Sequence, residues 1–105
     1  MKLTLENYKL IVSDEAKEDI KQYIYTIRYV YDASITAKKH YDGLIALLEK
    51  IEKNPTANAI RHSTFLLQYG VDVRRANFKK MAILYSINEN VVYVHRIVAE
   101  SLITD

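Results

Sequence analysis

Tyr85, His95 and Arg96, with five cations ahead of them in the chain (Arg61, Arg74, Arg75, Lys79 and Lys80), are the side chains whose types could do chemistry together. Metal-free cleavage of RNA needs a general base for the 2′-hydroxyl, an acid for the leaving oxygen, and cations for the negative charge that develops. An imidazole, a phenol and guanidinium groups are competent for those roles. For His95 and Tyr93 the alternative is packing within a strand with their hydrogen bonds satisfied. Between Arg61 and Lys80 those five cations face a single acid, Asp72, in a chain whose net charge is only +2. A local basic face on a near-neutral body suits phosphate, and equally an acidic protein partner.

Other chemistries find no support. His40, His62 and His95 lie far apart, without an HExxH pattern, a His pair at helical spacing or an acidic cluster, so no metal is expected. No motif supports Ser/His/Asp catalysis, and two glycines can hardly build a phosphate-cradling loop, so no small-molecule cofactor is expected. The chain has no Cys, which excludes disulfides and thiolate metal sites and fits the cytoplasm. The opening MKLTLENYKLIVSDEAK has no uninterrupted apolar core and no small-residue cleavage site, so no signal peptide is expected. No apolar run approaches the roughly 20 residues of a membrane span, so no membrane is expected either.

The elements that must position these side chains can be taken in order. A chain of 105 residues is expected to form one domain. Tyr8–Ser13 reads as a first strand. Ser13 or Asp14 then caps a helix from about Glu15 to Tyr31, with acids in its first turns where the helix dipole favours them. Ala16, Ile20, Tyr23, Ile24, Ile27, Val30 and Tyr31 form its apolar stripe. Tyr25 and Tyr29 project from the opposite side, as ordinary surface tyrosines or as a partner surface. Ser34 is expected to cap a second helix, about Ile35 to Lys53, with Ala37, Tyr41, Leu44, Ile45, Leu48 and Ile51 as its stripe. Gly43 inside it costs about 1 kcal/mol relative to Ala, which a close helix–helix approach would explain. The helix should stop at Asn54-Pro55, because Pro disfavours helical geometry at the residue before it.

After a connection over Thr56–Ser63, Thr64–Tyr69 reads either as a strand start or as an apolar loop under the sheet. Strands are then expected over Val71–Asn77, Met81–Ile87 and Val91–Val98, with a connection near Phe78–Lys80 and a hairpin turn at Asn88-Glu89-Asn90. Arg74 and Arg75, adjacent on a strand, should face opposite ways. The almost wholly apolar third strand should be central or covered on both sides. Alternation places His95 with Val91, Tyr93 and Ile97, and Arg96 with Val92, Val94 and Val98, unless a bulge re-aims one of them. Ala99–Asp105 is a tail.

The order of strand, two-helix hairpin and three-strand antiparallel meander resembles the RelE/ParE superfamily of bacterial toxins, from about Tyr8 to Val98. The local matches are YKLIVSDEAKEDIKQY, the I-x-K-N-P helix ending at Ile51–Pro55, and VRRANFKKMAILYSINENVVYVHRI. The resemblance implies an α+β fold, one twisted sheet with the hairpin packed on one face. It also implies a toxin of a type II toxin–antitoxin system, inhibited by a cognate antitoxin protein. RelE-like members cut mRNA on the ribosome, whereas ParE-like members poison DNA gyrase without nuclease activity. Tyr85 sits where the family's apolar-apolar-Tyr motif ends. Three residues earlier many RelE-like nucleases carry an Arg, and here the position is Ala82. His95 lies inside the last strand, not at its end or just after it, and Arg96 matches an Arg often found in the last strand of ParE-like members. Arg74 and Arg75 match basic residues of the second strand in both branches.

Two activities follow. As a ribosome-dependent endoribonuclease, the chain would hold phosphates with Arg61, Arg74 or Arg75, Lys79 and Lys80, with Tyr85, His95 or Arg96 near the scissile bond. As a gyrase poison it would need a contact surface and no chemistry on RNA. A degenerate member would keep only the antitoxin contact.

Overall fold

Ser13 organises the N-terminal half. Its hydroxyl accepts from the Ala16 amide at 2.9 Å, capping a helix, and donates to the His95 carbonyl at 2.7 Å, tying that cap to the last strand. In this computed structural model residues 7–103 are described; residues 1–6, on which part of the signal-peptide reading falls, and 104–105, the end of the expected tail, lie outside them. Strand β1 (Lys9–Val12) leads through Ser13 into α1 (Asp14–Tyr25), which continues as a π-helical turn, Thr26–Val30. Helix α2 (Ser34–Lys53), a 3₁₀ turn (Pro55–Ala57) and a short helix α3 (Thr64–Leu67) follow. The chain ends in β2 (Arg74–Phe78), β3 (Met81–Asn88), β4 (Val91–Ala99) and a 3₁₀ turn, Glu100–Leu102.

The sheet order is β1-β4-β3-β2, with β2, β3 and β4 an antiparallel meander and β1 parallel to β4. The parallel pair follows from the element count. The two helices of the hairpin go out and back, and so do β2 and β3, so β4 runs the same way as β1. Because only one residue separates β1 from α1, the helix runs on beside the part of β4 that β1 does not cover.

The main core lies between hairpin and sheet. Ala16, Leu44, Leu48 and Ile51 meet Ala76, Ile83, Tyr85, Val92, Val94 and Ile97 there. A smaller core on the other face joins Leu66, Val73, Ala82, Leu84 and Val98. β3 feeds both, which is why it is apolar along its length.

Several local expectations are corrected. The π-helical turn holds more residues per turn than an α-helix, so Val30 and Tyr31 rotate off the α1 stripe and are exposed. Tyr41 is likewise exposed and leaves the α2 stripe. Helix α2 is entered through Asp32 at φ 49°, and its N-cap is Ala33, so Ser34 is already helical and caps nothing. Thr64–Leu67 is a helix capped by the Ser63 hydroxyl, neither strand nor loop. Lys79 takes the left-handed position of the β2–β3 hairpin (φ 56°), and in the β3–β4 hairpin Glu89 takes it (φ 57°), not the flanking Asn88 or Asn90.

Gly43 is explained by a helix–sheet contact, not a helix–helix one. A Cβ added there would lie 2.9 Å from the Phe78 ring of β2. Gly43→Ala is therefore expected to gain little in the native background, because ring displacement offsets the helical gain of about 1 kcal/mol. In a Phe78→Leu background the same change should stabilise by about that amount, which a double-mutant cycle from urea unfolding would measure.

Candidate functional site

The face of the sheet away from the hairpin carries the residues of interest on β4, and a bulge puts them there. Tyr85 pairs with Val94 and Leu84 with Arg96, so His95 has no partner on β3. The extra residue resets the alternation. Val92, Val94 and Ile97 face the hairpin core, and Val98 faces the second core with Leu84 and Ala82. His95 thus lies on the side away from the hairpin, with Ser86 and Tyr93; Arg96, in register with Leu84, starts from that side too, but its side chain turns over the uncovered edge of β4 to Asp19 of α1.

His95 is half-buried. Its Nε2 shares a 2.8 Å hydrogen bond with the Ser86 hydroxyl, its ring stacks on Tyr69 (5.6 Å between centroids) and meets Tyr93 edge-on at 5.0 Å. Burial pushes its imidazole below the ordinary histidine value. The unfolded chain then binds the proton near pH 6.5 and the folded chain only at lower pH, so protonation favours unfolding. Stability should be full above about pH 6.5 and fall as pH drops from there towards the depressed value. Urea unfolding of the native chain and His95→Asn at pH 5 and 7.5 checks this; the substitution should flatten the dependence.

Arg96 is held by Asp19 of α1. Its Nε and terminal nitrogen donate to the two carboxylate oxygens at 2.7 and 2.9 Å, and the Ile97 amide donates to the same carboxylate at 2.9 Å. Asp19, by hydrogen bond and charge, raises Arg96 above the usual guanidinium range, with burial opposing. The pair sits on a groove of about 370 Å³ between α1 and β4, whose apolar lining includes Ile27, Met81 and Leu102.

Tyr85 is on the opposite face. It is fully buried, donating to the Pro55 carbonyl at 2.6 Å and accepting from the Asn58 amide at 3.2 Å. Burial raises its phenol above the ordinary tyrosine value. Arg74 pairs with Tyr85 across the sheet and shares its face, donating to the Asn58 carbonyl at 2.6 Å. Arg75, opposite Leu84, is on the His95 side, but it bonds Asn77 at 2.8 Å and lies 3.6 Å from the Glu100 carboxylate. Two strand spacings, about 10 Å, separate it from Arg96. Lys79 and Lys80 occupy the exposed β2–β3 turn and Arg61 the exposed run before α3. The structure therefore leaves His95 among Ser86, Tyr69 and Tyr93, turns Arg96 to Asp19, and sets Tyr85 and Arg74 on the hairpin face of the sheet.

Sequence reasoning missed Ser86, Tyr69 and Asp19. Ser86 had a signal, as the one hydroxyl-bearing small residue in an apolar strand. Asp19 was legible only as helix N-terminal charge, and Tyr69 had no signal. Among the described residues there is no group of three or more His, Cys, Asp or Glu that could hold a metal. No described helix is long and apolar enough to cross a membrane.

A four-stranded sheet with a helical hairpin on one face and a bulged last strand makes this an α+β protein. The chain is similar in fold to a chain of the chromosomal ParDE toxin–antitoxin system from P. aeruginosa, with a TM-score of 0.71 over 90% of this chain and 97% of that one. The two are 16% identical, so the likeness is one of fold. No protein-family model and no curated protein matches the sequence.

Proposed function

We propose that this chain is the toxin of a type II toxin–antitoxin pair, acting in the cytoplasm and held in check by a cognate antitoxin. It arrests growth by binding a macromolecular target, with DNA gyrase as the candidate, and does not cut mRNA on the ribosome. The fold shared with the ParDE system supports the toxin reading.

One observation carries the choice of activity: the groups that RNA cleavage needs do not converge. Tyr85 is sealed behind the sheet, Arg96 is engaged by both oxygens of Asp19, and Arg74 and Arg75 are bound elsewhere. Among the described residues the His95 ring meets Ser86, Tyr69 and Tyr93 rather than any of these arginines, and without charge stabilisation general acid–base work alone gives little. Ala82, where many RelE-like nucleases carry Arg, points the same way.

Primer extension on a defined mRNA in a translating extract tests this. The message should stay intact in an extract where a known nuclease toxin cuts, while a gyrase supercoiling assay shows chain-dependent inhibition. New ribosome-dependent 5′ ends within the reading frame would return the chain to the nuclease class.

A further inference from the structure

Ser86 interrupts the apolar run of β3, and nothing in target binding gives it a task. We propose that Ser86 and His95 form a nucleophile–base pair, in which Ser86 takes the acyl group of an activated ester of an apolar acid. The Ser86 hydroxyl lies 2.8 Å from Nε2 of His95, the spacing at which an imidazole removes the proton of a serine as it attacks. In the tautomer with its proton on Nδ1, Nε2 accepts from the hydroxyl, as a general base requires.

Packing does not explain the pair. Both side chains are only partly buried, so water could satisfy each of them, and a hydrogen bond between such groups adds little to stability. The bulge beside Leu84 and Tyr85 aims the imidazole at Ser86, and bulges commonly re-aim side chains next to active sites. Stacking on Tyr69 and the edge contact with Tyr93 fix the plane of the ring. The partners of the imidazole are Ser86, Tyr69 and Tyr93, with no carboxylate among them. Burial holds it below its ordinary value, so it is unprotonated at neutral pH and able to accept a proton.

The surroundings choose the substrate class. Leu10 and Val12 pack into the hairpin core, so Ile11 faces the other way, and Ile11, Tyr93 and Ser86 form one row across β1, β4 and β3. Ile11 and Tyr93 are each 38% exposed and make an apolar shelf beside the hydroxyl, which suits the alkyl or aryl part of an acyl group. Oγ attacks the carbonyl carbon of the ester and its proton passes to Nε2. The new C–O bond forms as the bond to the leaving alkoxide or phenoxide breaks, and Nε2 gives the proton to that oxygen. With no carboxylate in the set to orient the imidazole, a single transfer that leaves acyl-Ser86 is expected, not fast turnover.

The test incubates the purified full chain with p-nitrophenyl butyrate, follows p-nitrophenolate release, and maps the adduct by mass spectrometry. The expected product is a butyryl ester on Ser86, removed by hydroxylamine where amides on lysines are not. Ser86→Ala should form no such ester. His95→Asn, with folding verified by circular dichroism, should slow Ser86 ester formation on the order of a hundredfold. In the native chain the rate should rise with pH through a midpoint below about 6.5 and then level off, because the neutral imidazole is the base. A purely structural hydrogen bond would not give that profile. Three results would overturn the proposal: no ester adduct, esters only at other residues, or Ser86 ester formation as fast in His95→Asn as in the native chain. Labelling is read on the purified chain and not through growth, so failure of the toxin reading and failure of this one are distinguishable.

Discussion

Tyr85→Ala is expected to cost about 4 kcal/mol of stability, a large share of what a domain of this size possesses. The ring is fully buried in the main core, and its loss leaves a cavity between β3 and the hairpin. The hydroxyl adds a second, separable contribution, because it joins the Pro55 carbonyl to the Asn58 side chain and so fixes the turn that ends α2. Tyr85→Phe keeps the ring and leaves the buried Pro55 carbonyl without that donor, at a cost of about 1–2 kcal/mol. Denaturant unfolding of both variants measures the two parts. Under the proposed toxin function, growth arrest by Tyr85→Phe should persist as long as the chain remains folded. A catalytic phenol would give the reverse: activity abolished with stability barely changed.

Asp19→Ala should remove about 2–3 kcal/mol, less than a fully buried pair because the Arg96 side chain is 35% exposed against 16% for Asp19. The carboxylate satisfies the guanidinium twice and also accepts from the Ile97 amide, on the stretch of β4 that β1 does not cover. Truncation therefore leaves both a charge and a strand-edge N–H without their acceptor. Asp19→Asn keeps an oxygen for that N–H and removes the ion pair, so it should cost less than Asp19→Ala. Arg96→Met retains the stem and discards the charge. A cycle with Asp19→Ala then gives the coupling, which should exceed about 1 kcal/mol, the upper end for exposed pairs.

Much of the fold was legible because local signals and long-range packing agree. The Ser13 cap, the Pro55 stop, the Leu44–Leu48–Ile51 stripe and the three-strand meander all follow from spacing and capping chemistry. The illegible parts are set by contacts distant in sequence. The bulge at His95 coincides with Ser13 bonding the His95 carbonyl from 82 residues away, and no residue type near His95 announces it. The π-helical turn depends on the closure of the hairpin, where the Ala33 amide meets the Ile27 carbonyl at 3.2 Å. Glu89 takes a left-handed position that composition assigns to its Asn neighbours. At the site, residue types suggested convergence of Tyr85, His95 and Arg96. One strand pairing puts Tyr85 on the buried face, and a carboxylate on the first helix takes up Arg96.

The most direct measurement is growth after induced expression of the native chain and of His95→Ala, with folding of the variant verified by circular dichroism. Both should arrest growth to the same extent, and co-expression of the cognate antitoxin should relieve both. Loss of arrest in a folded His95→Ala chain would contradict the binding account and restore chemistry at the histidine. A native chain that arrests nothing would contradict the toxin reading itself.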